Sequence, residues 1–176
     1  MIIYSGFYGN AKKTAEILGS ILGQPVKEAG TGLNLEDRNE PVIVVSSLYA
    51  GKPARCSKIM KDLNGQNLNK IYVVTVGAMD PEDPKLAAKI KADMETVFKD
   101  FSVQVYSLQG NLDYAKLNPV HRMMMFGLKT FLQKKKNLDA SSEMIVKTYG
   151  GSIGELNTDK IFQIAQKLKK DITKQR

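Results

Sequence analysis

Two runs of consecutive apolar residues constrain this chain more than any other feature. Pro41-Val42-Ile43-Val44-Val45-Ser46 and Ile71-Tyr72-Val73-Val74-Thr75-Val76 are rich in β-branched residues and show no polar alternation. That is the pattern of a strand covered on both faces. Segments with helical apolar spacing flank them. Lys12 to Leu22 puts Ala15, Leu18 and Leu22 on one stripe with Ala11, and Gly23 ends the helix. Ala54 to Leu63 turns Ile59, Met60 and Leu63 inward, and Lys85 to Phe98 carries Leu86, Ile90, Met94 and Val97 at i, i+4, i+8 and i+11. Met1 to Ser5, Pro25 to Lys27 and Val103 to Leu108 read as further strands. Strand and helix thus alternate along the chain. Such alternation requires a parallel sheet with helices on both faces. Right-handed crossovers make that sheet doubly wound. The expectation is a single α/β domain over residues 1–176, a doubly wound five-stranded parallel sheet with a basic helical insert at about 111–149, before the last helix. In the insert, Pro119 to Lys136 reads as a helix and Asn137 to Gly154 as loop, with a short strand expected at Met144–Thr148. Thr158 is expected to cap the last helix, which turns Ile161, Ile164, Leu168 and Ile172 inward.

At 176 residues the chain can bury a sizeable core. It has no apolar run of membrane-spanning length and no basic, apolar leader, so a cytoplasmic protein is expected. The lone Cys56 fits a reducing compartment and excludes an internal disulfide. As a nucleophile it would have only His121 as an imidazole partner; as a plain helix residue it needs none. The net charge of +8 is uneven. Residues 1–110 carry 13 Lys and Arg against 12 Asp and Glu, whereas residues 111–176 carry 13 against 6. A basic partner surface would therefore lie in the last third, facing nucleic acid, anionic lipid or an anionic substrate.

In a doubly wound sheet, ligands sit beyond the carboxyl ends of the strands, where strand order reverses. Three loops converge there: Gly6–Ala11, Ser47–Pro53 and Gly77–Pro84, with Gly110–Tyr114 close by. The first joins a strand to a helix N-terminus through Gly6 and Gly9, which makes an anion site from unpaired N–H groups and the helix dipole. Ser5 and Asn10 would add side-chain donors. A dinucleotide fold should show G-x-G-x-x-G and a triphosphate loop G-x-x-x-x-G-K-[ST]; neither is present. Receiver domains carry acidic residues where this chain has Ser5-Gly6 and Ser46-Ser47.

Ser5-Gly6-Phe7-Tyr8-Gly9-Asn10-Ala11, with Ala15 behind it, resembles the S/T-x-T-G-x-T phosphate loop of the flavodoxin family. The resemblance implies non-covalent flavin mononucleotide (FMN), with its phosphate on residues 5–11. Gly6 and Ala11 stand where that family often has threonine, so the cradle would lean on backbone N–H groups. The same resemblance places the flavin ring against Ser47, Leu48, Tyr49, Ala50 and Gly51. Its third contact loop would be Gly77, Ala78, Met79 and Asp80, or Gly110, Asn111, Leu112, Asp113 and Tyr114. Tyr49 and Tyr114 could line the flavin or simply fill loops.

Farther on, Gly110-x-Leu112-Asp113-Tyr114, Val120-His121-Arg122-Met123-Met124-Met125 and Lys147-Thr148-Tyr149 resemble flavodoxin-domain proteins of the menaquinone-dependent protoporphyrinogen dehydrogenase type. That implies an oxidoreductase acting on a porphyrinogen-like substrate with a quinone acceptor. A flavodoxin-type electron carrier is the alternative, and the basic net charge speaks against it. A third reading keeps the fold without flavin, as a membrane- or partner-binding module.

Pro119 to Lys136 holds Arg122, Lys129, Lys134, Lys135 and Lys136 and no acidic residue. Val120, Met124, Leu128, Phe131 and Leu132 form its apolar stripe, widened by Met123, Met125 and Phe126. Such a helix can lie on an anionic membrane, hold a flat apolar substrate beside a flavin, or pack on its own domain. Few aromatics interleave its charges, which disfavours nucleic acid. His121 would shuttle a proton near the flavin or stand in solvent. No metal-ligand cluster, paired carboxylates or nucleophile triad is visible, in keeping with cofactor chemistry.

Overall fold

The computed structural model describes residues 1–32, 41–49, 52–66, 68, 70–79, 81–135, 137–138 and 140–174. The chain runs β1 (Ile2–Ser5), α1 (Asn10–Leu22), β2 (Val26–Glu28), β3 (Val42–Tyr49), β4 (Lys52–Pro53), α2 (Cys56–Leu63), β5 (Lys70–Gly77), α3 (Pro84–Val97) and β6 (Ser102–Gln109). Then follow β7 (Leu112–Asp113), a 3₁₀ turn (Tyr114–Lys116), α4 (Pro119–Gln133), α5 (Ala140–Lys147), β8 (Ser152–Ile153) and α6 (Thr158–Thr173). Five strands pair in parallel in the order β2-β1-β3-β5-β6. The order reverses between β1 and β3, so their carboxyl ends open a crevice.

The unbroken apolar strands are explained by their two covers. Ile2, Ile43, Val45, Tyr72 and Val74 face α1 and α6, meeting Ala15, Leu18, Ile161 and Leu168. Ile3, Val42, Val44, Ile71 and Val73 face the other way, toward Ile59 and Leu63 of α2 and Ile90 and Met94 of α3. A third, smaller cluster lies under the insert. Tyr114, Leu117 and Ile153 are buried there, with Tyr8, Ala78 and Met125 packed against them. It ties α4 to the carboxyl end of the sheet.

Four local expectations are corrected. Within Ser47–Pro53, expected as a loop, the described residues pair as strands. β3 continues to Tyr49, and β4 returns antiparallel with Leu48 opposite Pro53 and Tyr49 opposite Lys52. Pro53 is tolerated because this short strand lies off the main sheet path. Met144–Thr148 is helical through Lys147, not a strand. Its apolar run is only three residues long, and a Glu143–Lys147 pair at 3.0 Å and a Thr148 Oγ1 to Met144 carbonyl bond of 2.6 Å suit a helix end. Asn157, not Thr158, caps α6: its Oδ1 accepts from the N–H of Asp159 at 2.9 Å and of Lys160 at 3.1 Å. Within Gly110–Tyr114, expected as loop, Leu112–Asp113 pairs with Ser152–Ile153.

Candidate functional site

The turn after β1 presents the uncapped backbone N–H groups of a helix start, the geometry from which an anion cradle can be built. Gly9 is the N-cap of α1, in the left-handed region at φ 85°, and no side chain caps the helix. The Lys13 N–H bonds the Gly9 carbonyl at 2.9 Å, which leaves the N–H groups of Asn10, Ala11 and Lys12 without a helical acceptor. The first turn of α1 holds no acidic residue, so its dipole is free to favour an anion. At Gly6 a methyl group would lie 2.8 Å from Ser47 Oγ. Ser47 thus occupies the space a side chain at position 6 would need.

Ser5 and Asn10 do not supply the side-chain donors expected of them. Ser5 is fully buried, and its hydroxyl donates to the Ala54 carbonyl at 2.5 Å. Residues alternate across a strand, and Ser5 falls on the side that faces this contact. Asn10 Nδ2 donates to the Asn111 carbonyl at 2.6 Å, stitching the first loop to the one after β6. Ala11 is fully buried in the core beneath the turn.

Beyond this turn opens a cavity of about 500 Å³, within the size range of small-ligand sites, roughly 300–1,000 Å³. Phe7, Tyr8, Asn10, Ser47, Leu48 and Tyr49 line one side. Gly77, Ala78, Met79, Gly110, Asn111 and Leu112 also line it. The structure therefore brings four expected segments to one opening. Ala50, Gly51 and Asp80 lie outside the described residues. Ser5, Gly6, Gly9, Ala11, Asp113 and Tyr114 do not line the cavity. The Asp113 carboxylate accepts from the Ala115 N–H at 2.9 Å and caps the 3₁₀ turn. Tyr114 is buried against Tyr149, with ring centroids 5.1 Å apart. Two close approaches hold the Gly77 and Gly110 loops together. The Gly110 N–H bonds the Gly77 carbonyl at 2.7 Å, and Gln109 Nε2 donates to the Ala78 carbonyl at 3.0 Å. A methyl group at Gly110 would meet Val76 Cγ1 at 2.7 Å.

The insert supplies the remaining wall. Met124, Met125 and Leu128 of α4 and Ile145 of α5 line the cavity opposite Leu86 and Ile90 of α3. His121 is half-buried rather than free in solvent. Its Nδ1 is hydrogen-bonded to Tyr8 Oη. Its ring lies 4.4 Å from that of Tyr49 and 5.2 Å from that of Phe7. Tyr49 Oη donates to Met124 Sδ at 2.8 Å. Burial first, and then the neighbouring Tyr8, push the Tyr49 phenol above its usual range. The α3 residues of the wall are absent from any motif, because their spacing is that of an ordinary core helix, and Ile145 of α5 lies in the stretch expected as a strand. The α4 methionines did carry a signal, in their excess over one helical stripe.

Among the described residues no cluster of His, Cys, Asp and Glu could hold a metal ion. Burial, opposed by Lys52, pushes the Cys56 thiol up, the opposite of an activated nucleophile. Among the described residues no helix is long and apolar enough to cross a membrane.

A family model described as a flavodoxin domain matches residues 1–139. That span holds every cavity-lining residue named above except Ile145. Matching solved structures include the Trp repressor binding protein from Bacillus subtilis, at 18% identity and a TM-score of 0.40, covering 62% of this chain and 81% of that one. No curated protein sequence matches.

Proposed function

This chain belongs to the flavodoxin family, and we propose that it is a redox flavoprotein which holds FMN in the β1/β3 crevice and exchanges electrons with a flat, apolar substrate. The residues present fit such a cofactor. The uncapped start of α1 and the left-handed Gly9 suit a phosphate. Tyr49, Leu48 and the Gly77–Met79 loop suit a planar ring. Bound there, FMN would supply reversible hydride or electron uptake. The protein's part is to orient the reactants and exclude water. His121 and Tyr8, joined by their hydrogen bond at the cavity wall, are placed to hold or pass a proton.

One observation carries the oxidoreductase reading over a bare electron carrier. The cavity does not stop at the strand-end loops; it continues between α3 and the methionine face of α4. A ring-sized cofactor leaves that apolar annex for a second molecule. Its chemistry suits a quinone acceptor or a porphyrinogen-like donor, the substrate class suggested by the resemblance of residues 110–149. The test is anaerobic. FMN-loaded protein, photoreduced, is mixed with a water-soluble quinone, and the return of flavin absorbance is followed. Reoxidation that saturates with quinone, and that Leu128→Glu slows, is expected. A rate linear in quinone and equal to that of free reduced FMN would contradict the reading.

A further inference from the structure

Helix α4 carries two apolar seams, and only one of them faces the protein. His121, Met125, Leu128 and Leu132 follow i, i+4, i+7, i+11 spacing. The first three line the cavity and Leu132 is buried. Val120, Met123, Gly127 and Phe131 follow i, i+3, i+7, i+11 spacing on a second, solvent-exposed side. A surface helix normally turns charge outward. Here Val120 is 60% exposed, Met123 69%, Phe126 57% and Phe131 59%. Arg122 donates to the Ala115 and Leu117 carbonyls and Lys129 lies over the Tyr149 ring at 4.5 Å, so both turn toward their own domain, whereas Lys134 and Lys135 stand at the C-terminal end. None of these four cations makes an ion pair among the described residues. Lys135 instead lies over the Phe131 ring at 5.1 Å.

We infer that the outward seam of α4 docks on an anionic lipid surface, with the helix lying in the plane of the headgroups. Charge decides the occupant. Two copies of this chain joined along the seam would bring cations against cations, with no acidic residue in α4 to offset them. An anionic bilayer answers both features: acyl chains take up Val120, Met123, Phe126 and Phe131, and lysines reach to phosphates. The seam's methionine is a yielding apolar side chain, which suits a fluid partner. Because the inward seam of the same helix walls the cavity, docking would set the cavity's apolar annex beside the membrane interior.

The test is co-sedimentation of the full chain with vesicles of phosphatidylcholine alone and with added phosphatidylglycerol. Binding only to the anionic vesicles is expected. Met123→Glu with Phe131→Glu should weaken it by at least about tenfold, since each buried apolar side chain carries that order of partition. Lys134→Glu with Lys135→Glu should weaken it and remove its salt dependence. The chain has no tryptophan, so Phe131→Trp gives a single reporter, whose emission should shift to shorter wavelength on anionic vesicles. A wild-type protein that stays in the supernatant would overturn the inference, as would seam variants that bind like wild type. So would a dimer on gel filtration that the seam variants dissolve while vesicles have no effect; the occupant would then be a second copy. FMN titration of the same variants should be unchanged, so the vesicle result stands apart from the flavin assignment.

Discussion

At Gly6 an added methyl would lie 2.8 Å from Ser47 Oγ and 3.1 Å from Ala11 Cβ, so the turn and the end of β3 share one small space. Gly6→Ala should lower stability by about 1–3 kcal/mol, the usual cost of overpacking. Ser47→Ala removes the obstructing oxygen. The double variant should therefore recover most of that loss in urea unfolding, and strictly additive losses would show that the two positions do not compete. The glycine pair of this turn was legible from residue types alone, because positive φ and close approach both select glycine. The direction of Ser5 was not. A hydroxyl at a strand end can point to the loop or into the core, and the Ala54 carbonyl that decides it is 49 residues away. His121 was equally opaque: its partner Tyr8 lies 113 residues off, beyond any local pattern.

Among elements, the edge strand β6 is fastened to α6 by Tyr106, whose hydroxyl donates to the Asp171 carboxylate. Burial first, and then that carboxylate, hold the phenol well above its usual range, near 10 in water. The folded protein therefore keeps this proton at a pH where the unfolded chain releases it. The contribution is complete below about pH 10 and is lost as pH rises from there toward the folded value. Unfolding midpoints of wild type should fall more steeply above about pH 9.5 than those of Tyr106→Phe. Parallel profiles would mean the phenol is not perturbed. The long helices were legible because their apolar spacing repeats over several turns, as in α3. Short elements were not. The β3–β4 pair joins Leu48 and Tyr49 to Pro53 and Lys52, which carry no strand pattern of their own, and Met144-Ile145-Val146 alone cannot distinguish strand from helix. In α4 the basic and apolar content was visible, but which of two seams faces inward is fixed only by packing on Tyr8, Tyr49 and the Tyr114 cluster.

For the whole molecule, the parallel sheet followed from two unbroken apolar runs, since each needs helices on both faces. Covered on both sides, β3 and β5 became its centre. The crevice then follows from topology, at the reversal between β1 and β3. The cavity's second half was hidden, because it exists only where the insert folds back over the sheet. The basic charge of the last third divides mainly between two helices: Arg122, Lys129 and Lys134 on α4 and its end, and Lys160, Lys167, Lys169 and Lys170 on α6. The central claim is that this crevice binds FMN. It is tested most directly by mixing the purified chain with excess FMN, desalting it, and reading flavin absorbance against protein. One flavin per chain, lost or sharply reduced when Gly9→Val burdens the left-handed turn, is the predicted result. A colourless protein after the same treatment would contradict the account.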